Sequence, residues 1–159
     1  MIVKPKIYIE TSVISYLAAC PSRDLVIAAH QQITHDWWRK HRGDFDLYVS
    51  EIVEQEARGG DQDAAKRRLE ILEGIPSLNL TEEVYSLARP LTENMPLPET
   101  ATVDAFHIAV SAVNGSDYLL TWNCKHIANA TLRGRIEDVC RKAGFEPPII
   151  CTPDEFMEE

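Results

Sequence analysis

Short runs of β-branched, leucine and aromatic residues, most of them cut off by polar residues at the carboxyl end, recur along the chain with helix-length segments between them. They are Ile7-Tyr8-Ile9, Leu47-Tyr48-Val49, Leu78-Asn79-Leu80, Tyr118-Leu119-Leu120-Thr121 and Ile149-Ile150-Cys151-Thr152. Strands separated in this way cannot pair through tight hairpins. Each intervening helix must carry the chain back across the sheet, so neighbouring strands run parallel and helices cover both faces. The pattern predicts a three-layer α/β/α fold with a mostly parallel central sheet.

The helix ends are chemically marked. Asp24 is placed to cap a helix whose apolar positions Leu25, Ala28, Ala29, Ile33 and Trp37 keep the helical period, with Lys40, His41 and Arg42 before the stop at Gly43. Ser50 caps a helix through Ile52, Val53, Glu56 and Ala57 that Gly59-Gly60 breaks, and an amphipathic stretch from Asp61 to Glu73 stops at Gly74. Thr81 caps a helix through Val84, Leu87 and Ala88, after which Pro90, Pro96 and Pro98 limit regular structure up to Glu99. Thr102 is read as opening a strongly apolar helix, with Val103, Phe106, Val110 and Val113 on one side and Gly115 at its end. A last helix is expected from Leu132 to Ala143, stopping at Gly144, and the final strand leads to a short acidic tail.

With 159 residues, 45% of them hydrophobic, the chain has the size of a single domain spanning 1–159 and can bury a substantial core. No apolar run approaches the roughly 18 residues of a membrane span, and Met1-Ile2-Val3-Lys4-Pro5-Lys6 leads into a strand-like segment and not an apolar signal region. A cytoplasmic protein without a membrane partner is therefore expected. Sixteen Lys plus Arg against 25 Asp plus Glu gives 16 − 25 = −9, which argues against holding nucleic acid through a broadly positive surface. Cys20, Cys124, Cys140 and Cys151 form no Cys-x-x-Cys pair, so they are expected to be reduced and mostly buried. The five histidines include no His-x-x-x-His pair with a central Glu, which leaves a zinc-hydrolase site without support.

In open α/β sheets ligands gather beyond the carboxyl ends of the strands, so the polar residues there carry the functional reading. Glu10-Thr11-Ser12 follows the first strand in what reads as a polar loop, and Thr121-Trp122-Asn123 follows the fourth. Asp104 lies in the first turn of the apolar helix, where the helix dipole alone would favour an acid by about 0.3–1 kcal/mol. Glu56 shares the inward face of Ile52 and Val53, whereas Glu51 and Glu54 read as a solvated edge.

Taken in order, Ile7-Tyr8-Ile9-Glu10-Thr11-Ser12-Val13-Ile14, Val49-Ser50 with Glu56, Asp104-Ala105-Phe106-His107-Ile108-Ala109 and Leu119-Leu120-Thr121-Trp122-Asn123 resemble the PIN-domain family of metal-dependent ribonucleases, especially its small VapC-like toxins. The resemblance covers nearly the whole chain and rests on the order of the pieces, since no single piece is specific. Glu10 stands where most relatives carry Asp, and Asn123 where some do; Asn123 keeps an oxygen but removes a negative charge, which weakens a second metal position more than the first.

The resemblance implies a Mg²⁺- or Mn²⁺-dependent endoribonuclease, the toxin of a type II toxin–antitoxin pair, with RNA as substrate, an antitoxin as partner and a homodimeric state. Its catalytic set would be Glu10, Glu56, Asp104 and Asn123, with Glu10 and Asp104 as metal ligands and Thr11, Ser12 and Thr121 positioning carboxylates or substrate. Converging carboxylates raise one another's pKa unless a hard cation offsets them, so a divalent ion suits the set physically. With one such ion the net charge becomes −9 + 2 = −7, which implies local, metal-dependent engagement of RNA. A PIN-like module that binds RNA or protein without cutting is the alternative. A receiver-like phosphotransfer domain using Thr121 and Lys125 ranks below both, since Glu10 stands where a phosphoacceptor Asp would be needed.

Other features have ordinary readings beside functional ones. His107, three residues after Asp104, fits a half-buried, hydrogen-bonded histidine better than a ligand or proton carrier. Trp37 fits the core and Trp38 a partly exposed surface, although either could stack on bases. The basic clusters Arg39-Lys40-His41-Arg42, Lys66-Arg67-Arg68 and Arg133 with Arg135 read as solvated faces or complements to helix C-termini.

Overall fold

The computed structural model describes residues 3–94 and 98–157, with the side chains of 98–101 outside the description. The strands are β1 (Lys6–Ile9), β2 (Asp46–Ser50), β3 (Ser77–Leu78), β4 (Tyr118–Leu120) and β5 (Ile149–Cys151). The α-helices are α1 (Thr11–Ala18), α2 (Leu25–Lys40), α3 (Glu51–Ala57), α4 (Gln62–Leu72), α5 (Glu82–Glu93), α6 (Pro98–Val113) and α7 (Ala130–Lys142). One sheet forms in the order β3-β2-β1-β4-β5, and every pair is parallel. Helices α1 to α4 pack among themselves, as do α5 to α7. The α/β fold is the one the alternation predicts.

β1 is central because its residues can be buried on both sides: Ile7, Tyr8 and Ile9 are wholly enclosed. Its register sets Tyr8 beside Tyr48 of β2 and Leu119 of β4. The carboxyl ends of β1 and β4 thus lie together, which brings Glu10 beside the residues that follow Leu120. At α6 and α7 the chain leaves the helix through Gly115 (φ 70°) and Gly144 (φ 90°), both left-handed. In each case two backbone bonds close the end: Gly115 N to Ala112 O with Ser116 N to Ser111 O, and Gly144 N to Arg141 O with Phe145 N to Cys140 O.

Several expectations are corrected. The segment after β1 is not a loop: α1 begins at Thr11, and Glu10 is its N-cap, accepting from the Ser12 amide. The buried residues of α2 are Gln31, Thr34 and Trp37, while Leu25 is 86% exposed, because only the second half of the helix lies against the body of the protein. α5 continues through Pro90 to Glu93. Buried Leu87, Ala88 and Leu91 hold it against α6 and α7, which outweighs the roughly 3 kcal/mol that an interior proline costs. α6 begins at Pro98 and not at Thr102, with proline in the first helical position, where its missing amide is harmless. Pro96 lies outside the described residues.

α6 is enclosed almost all round from Asp104 to Ala112, and it is Val103 that faces solvent. Cysteines divide evenly, Cys140 and Cys151 buried and Cys20 and Cys124 exposed. Beyond β5 the chain makes a 3-10 turn, Pro153–Phe156, that presses the Phe156 ring onto Trp37, Phe45 and Tyr118. No helix among the described residues is long and apolar enough to cross a membrane.

Candidate active site at the strand ends

Glu10 is 6% exposed, and its carboxylate is held from three directions. Oε1 accepts from Ser12 Oγ and from Thr121 Oγ1, each at 2.5 Å, and Oε2 accepts from the Ser12 amide at 3.1 Å. Both hydroxyls are themselves fixed: Ser12 Oγ accepts from the Trp122 amide at 2.8 Å and Thr121 Oγ1 from the Asn123 amide at 2.9 Å. The end of β4 and the start of α1 are therefore stitched together through one buried acid.

Glu56, on α3, reaches the same cleft with its side chain 39% exposed. Its Oε1 accepts from Thr11 Oγ1 and from His107 Nε2, both at 2.7 Å. Burial raises its pKa, but the hydrogen bond and charge of His107 and the bond from Thr11 outweigh that and leave it below the usual carboxylate range. An ionised Glu56 can only accept, so His107 Nε2 carries a proton. The other ring nitrogen, Nδ1, is hydrogen-bonded to Tyr8 Oη at 2.7 Å, and Tyr8 Oη in turn to Ser50 Oγ at 2.8 Å. A file of hydrogen bonds thus runs from buried Ser50 through Tyr8 and His107 to the half-exposed Glu56. Burial also pushes the Tyr8 phenol well above its ordinary pKa, so Tyr8 stays a donor.

Asp104 is 8% exposed and lies in the second turn of α6, past the stretch where the helix dipole would account for it. Oδ1 accepts from Asn123 Nδ2 at 3.1 Å, and the Asn123 Oδ1 is occupied by the His126 amide, also at 3.1 Å. Oδ2 lies 3.0 Å from His126 Nδ1 but is left without a well-directed hydrogen bond. Burial pushes its pKa up, and the charge of Glu10 adds to this against the lowering effect of His126 and His107.

The sequence-derived set is thus gathered around the ends of β1 and β4, but in two groups. Ligand atoms of Glu10, Glu56 and His107 lie within 4.8 Å of one another, while Asp104 is engaged separately, by Asn123 and His126. Thr11, Ser12 and Thr121 each hold a carboxylate, and Asn123 orients Asp104 through its amide nitrogen. His107 is more enclosed than the half-buried expectation, at 1% exposure, with both ring nitrogens engaged. Glu51 is not a solvated edge, since its Oε2 accepts the Leu80 amide at 2.9 Å and ties α3 to the end of β3. Tyr8, Ser50 and His126 were not legible as site residues. Tyr8 is an aromatic in a buried strand, Ser50 a helix cap, and His126 sits in a loop with no recurring spacing.

The basic clusters are largely spent on the fold. Arg67 Nε caps Ala18 O at 2.8 Å, Arg68 Nε caps Ala57 O at 3.0 Å, and Arg39 pairs with Asp36. Trp37 is core, and Trp38 lies under the Arg42 guanidinium, 4.1 Å from ring centre to Cζ.

A parallel sheet ordered 3-2-1-4-5, with an acid at the end of β1, Thr121 and Asn123 beyond β4 and further acids on α3 and α6, has the PIN-like architecture that the motifs resemble. Solved structures agree. The chain superposes on VapC20 of Mycobacterium tuberculosis, a Sarcin-Ricin loop cleaving toxin, with a TM-score of 0.60 and 18% identity over 90% of this chain and 100% of that one. It superposes on VapBC2 of Rickettsia felis, solved bound to a DNA fragment from their promoter, with a TM-score of 0.58 and 11% identity over 92% of this chain and 97% of that one. The fold is that of the VapC toxins. No protein-family model and no curated protein sequence matches the chain.

Proposed function

We propose that this protein is a Mg²⁺- or Mn²⁺-dependent endoribonuclease, the toxin component of a type II toxin–antitoxin pair. The observation that carries the reading is the convergence of buried Glu10 and Asp104 with Glu56 around the carboxyl ends of β1 and β4, where Asp104 Oδ2 has His126 Nδ1 at 3.0 Å as its one close polar neighbour and no well-directed hydrogen bond. Buried acids without enough donors are unfavourable unless a cation completes them. The donor set is all oxygen apart from His107, which suits a hard divalent ion. Glu10 would be its central ligand: Asp104 would join it as the motif resemblance implies, and Glu56, whose ligand atom lies within 4.8 Å of that of Glu10, would complete the site.

Such an ion supplies Lewis acidity toward a phosphodiester and offsets the charge of the carboxylates. The chain's own residues do the rest. Ser12 and Thr121 fix Glu10, Asn123 fixes Asp104, and Thr11 with His107 fixes Glu56 in its ionised form. Glu56, half-exposed and ionised, is placed to accept a proton from an attacking water, and the His107–Tyr8–Ser50 file steadies it from behind. RNA as substrate is supported by the likeness to VapC20, an antitoxin partner by the likeness to VapBC2, and a homodimer by the resemblance to PIN-domain toxins.

RNA cleavage by the purified protein with Mn²⁺, set beside Asp104→Ala, tests the reading; equal cleavage by both overturns it. A second reading, a PIN-like binding module that does not cut, is favoured by Asn123, whose nitrogen and not a carboxylate faces Asp104. Calorimetric titration with Mn²⁺ separates the two, because binding that disappears in Glu10→Ala is expected only of the nuclease.

A further inference from the structure

With a net charge of −9, and with Arg67 and Arg68 turned to helix-end carbonyls, the chain is not built to hold a polyanion by charge alone, so contacts that need no positive charge matter for RNA. Two hydrogen bonds away from the Glu10 carboxylate, through Ser12, lies Trp122. Its indole is stacked on the His30 ring, with centroids 4.1 Å apart and planes 14° from parallel. Tyr16 stands edge-on to both rings at 6.1 Å. The indole Nε1 donates to Thr34 Oγ1 at 2.7 Å, which fixes the ring plane against α2. All three rings are partly exposed, and neither Tyr16 nor His30 has any part in the carboxylate network.

We propose that the His30–Trp122 stack, edged by Tyr16, is a platform on which a base of single-stranded RNA stacks beside the scissile phosphate. This rests on the ribonuclease reading and deepens it. Thr121 and Asn123, on either side of Trp122, hold Glu10 and Asp104, so a base on this stack is registered against the same strand end that holds the acids. Stacking is sequence-tolerant and needs no positive charge, which suits a protein with a net charge of −9.

The test is steady-state cleavage of a single-stranded oligoribonucleotide with Mn²⁺ by the parent, His30→Ala and His30→Phe, with thermal melting of each. His30→Ala is expected to raise KM about tenfold with kcat retained, and His30→Phe to restore KM, as a flat ring would. An unchanged KM in His30→Ala, or an equal rise in both variants at parental melting temperature, overturns the proposal. Tryptophan emission gives a second measurement on the intact protein, because Trp37 is buried and Trp38 is covered by Arg42. Quenching by RNA that is lost in Trp122→Phe supports the platform, and absence of quenching in the parent overturns it. If the parent binds Mn²⁺ and cuts no RNA, the nuclease reading falls, and the quenching result still decides whether bases stack here.

Discussion

Glu10 and Thr121 are 111 residues apart in sequence and 2.5 Å apart in the fold, joined by a buried hydrogen bond from the Thr121 hydroxyl to Oε1. The parallel pairing of β1 with β4 makes this contact, and with it the first carboxylate of the cleft acquires a fixed direction.

Thr121→Val keeps the shape and removes that donor, which also takes away the acceptor for the Asn123 amide. A buried acid that loses a donor costs about 1–3 kcal/mol, so the urea midpoint is expected to fall accordingly and Mn²⁺ binding to weaken in calorimetry. Unchanged midpoint and affinity would show that Ser12 alone orients Glu10.

Asp104→Asn is expected to stabilise the metal-free protein. The folded-state pKa of Asp104 is raised, so between the unfolded and folded values the native state binds more protons than the unfolded one, and stability falls as pH rises through that window. At neutral pH the ionised group is therefore a burden that asparagine removes. Melting curves with and without Mn²⁺ check this: the parent should gain more from Mn²⁺ as pH rises above the Asp104 pKa, and the variant should melt higher without metal and gain little from it.

His107→Phe cuts the file between Tyr8 and Glu56. Glu56 is held below its ordinary pKa, so its contribution is present above the unfolded value near 4.3 and is lost as pH falls through the folded one. Without His107 the carboxyl pKa should rise, visible as an upward move of the Glu56 midpoint in an NMR titration. The acid limb of cleavage activity should move up with it; a midpoint that stays put would mean that Thr11 alone sets it.

Gly144→Ala places a side chain at φ 90° with no atom within 4 Å of the new Cβ. The cost is therefore backbone strain and not collision, about 1–2 kcal/mol. It should appear as a lowered melting temperature with cleavage unchanged, because Gly144 precedes the amino end of β5, at the end of the parallel sheet opposite to the acids.

The alternation of strands and helices was legible because short continuous apolar runs and capping residues are local signals, as at Ser50 and Thr81. What sequence could not show is set by packing. Pro90 reads as a stop until Leu87 and Leu91 are seen to be buried around it, and the apolar start of α2 reads as core although only its second half meets the body of the protein. Glu10 was legible as a candidate from its place at a strand end, Asp104 from its place near a helix start and Glu56 from its spacing to Ile52 and Val53, although Glu56 proves 39% exposed and does not share their burial. Their division into two groups could not, because it depends on His126 and His107, whose partners lie 22 and 51 residues away.

The central place of β1 has a consequence during synthesis. The strand that leads to Glu10 is made well before β4, so the β4 edge and the Thr121 hydroxyl reach it only 111 residues later. Until then Glu10 has no strand on one side and Asp104 has no Asn123. A chain that stops before Thr121 thus cannot assemble the cleft, and the geometry around Glu10 and Asp104 appears only once the β4 end has been added.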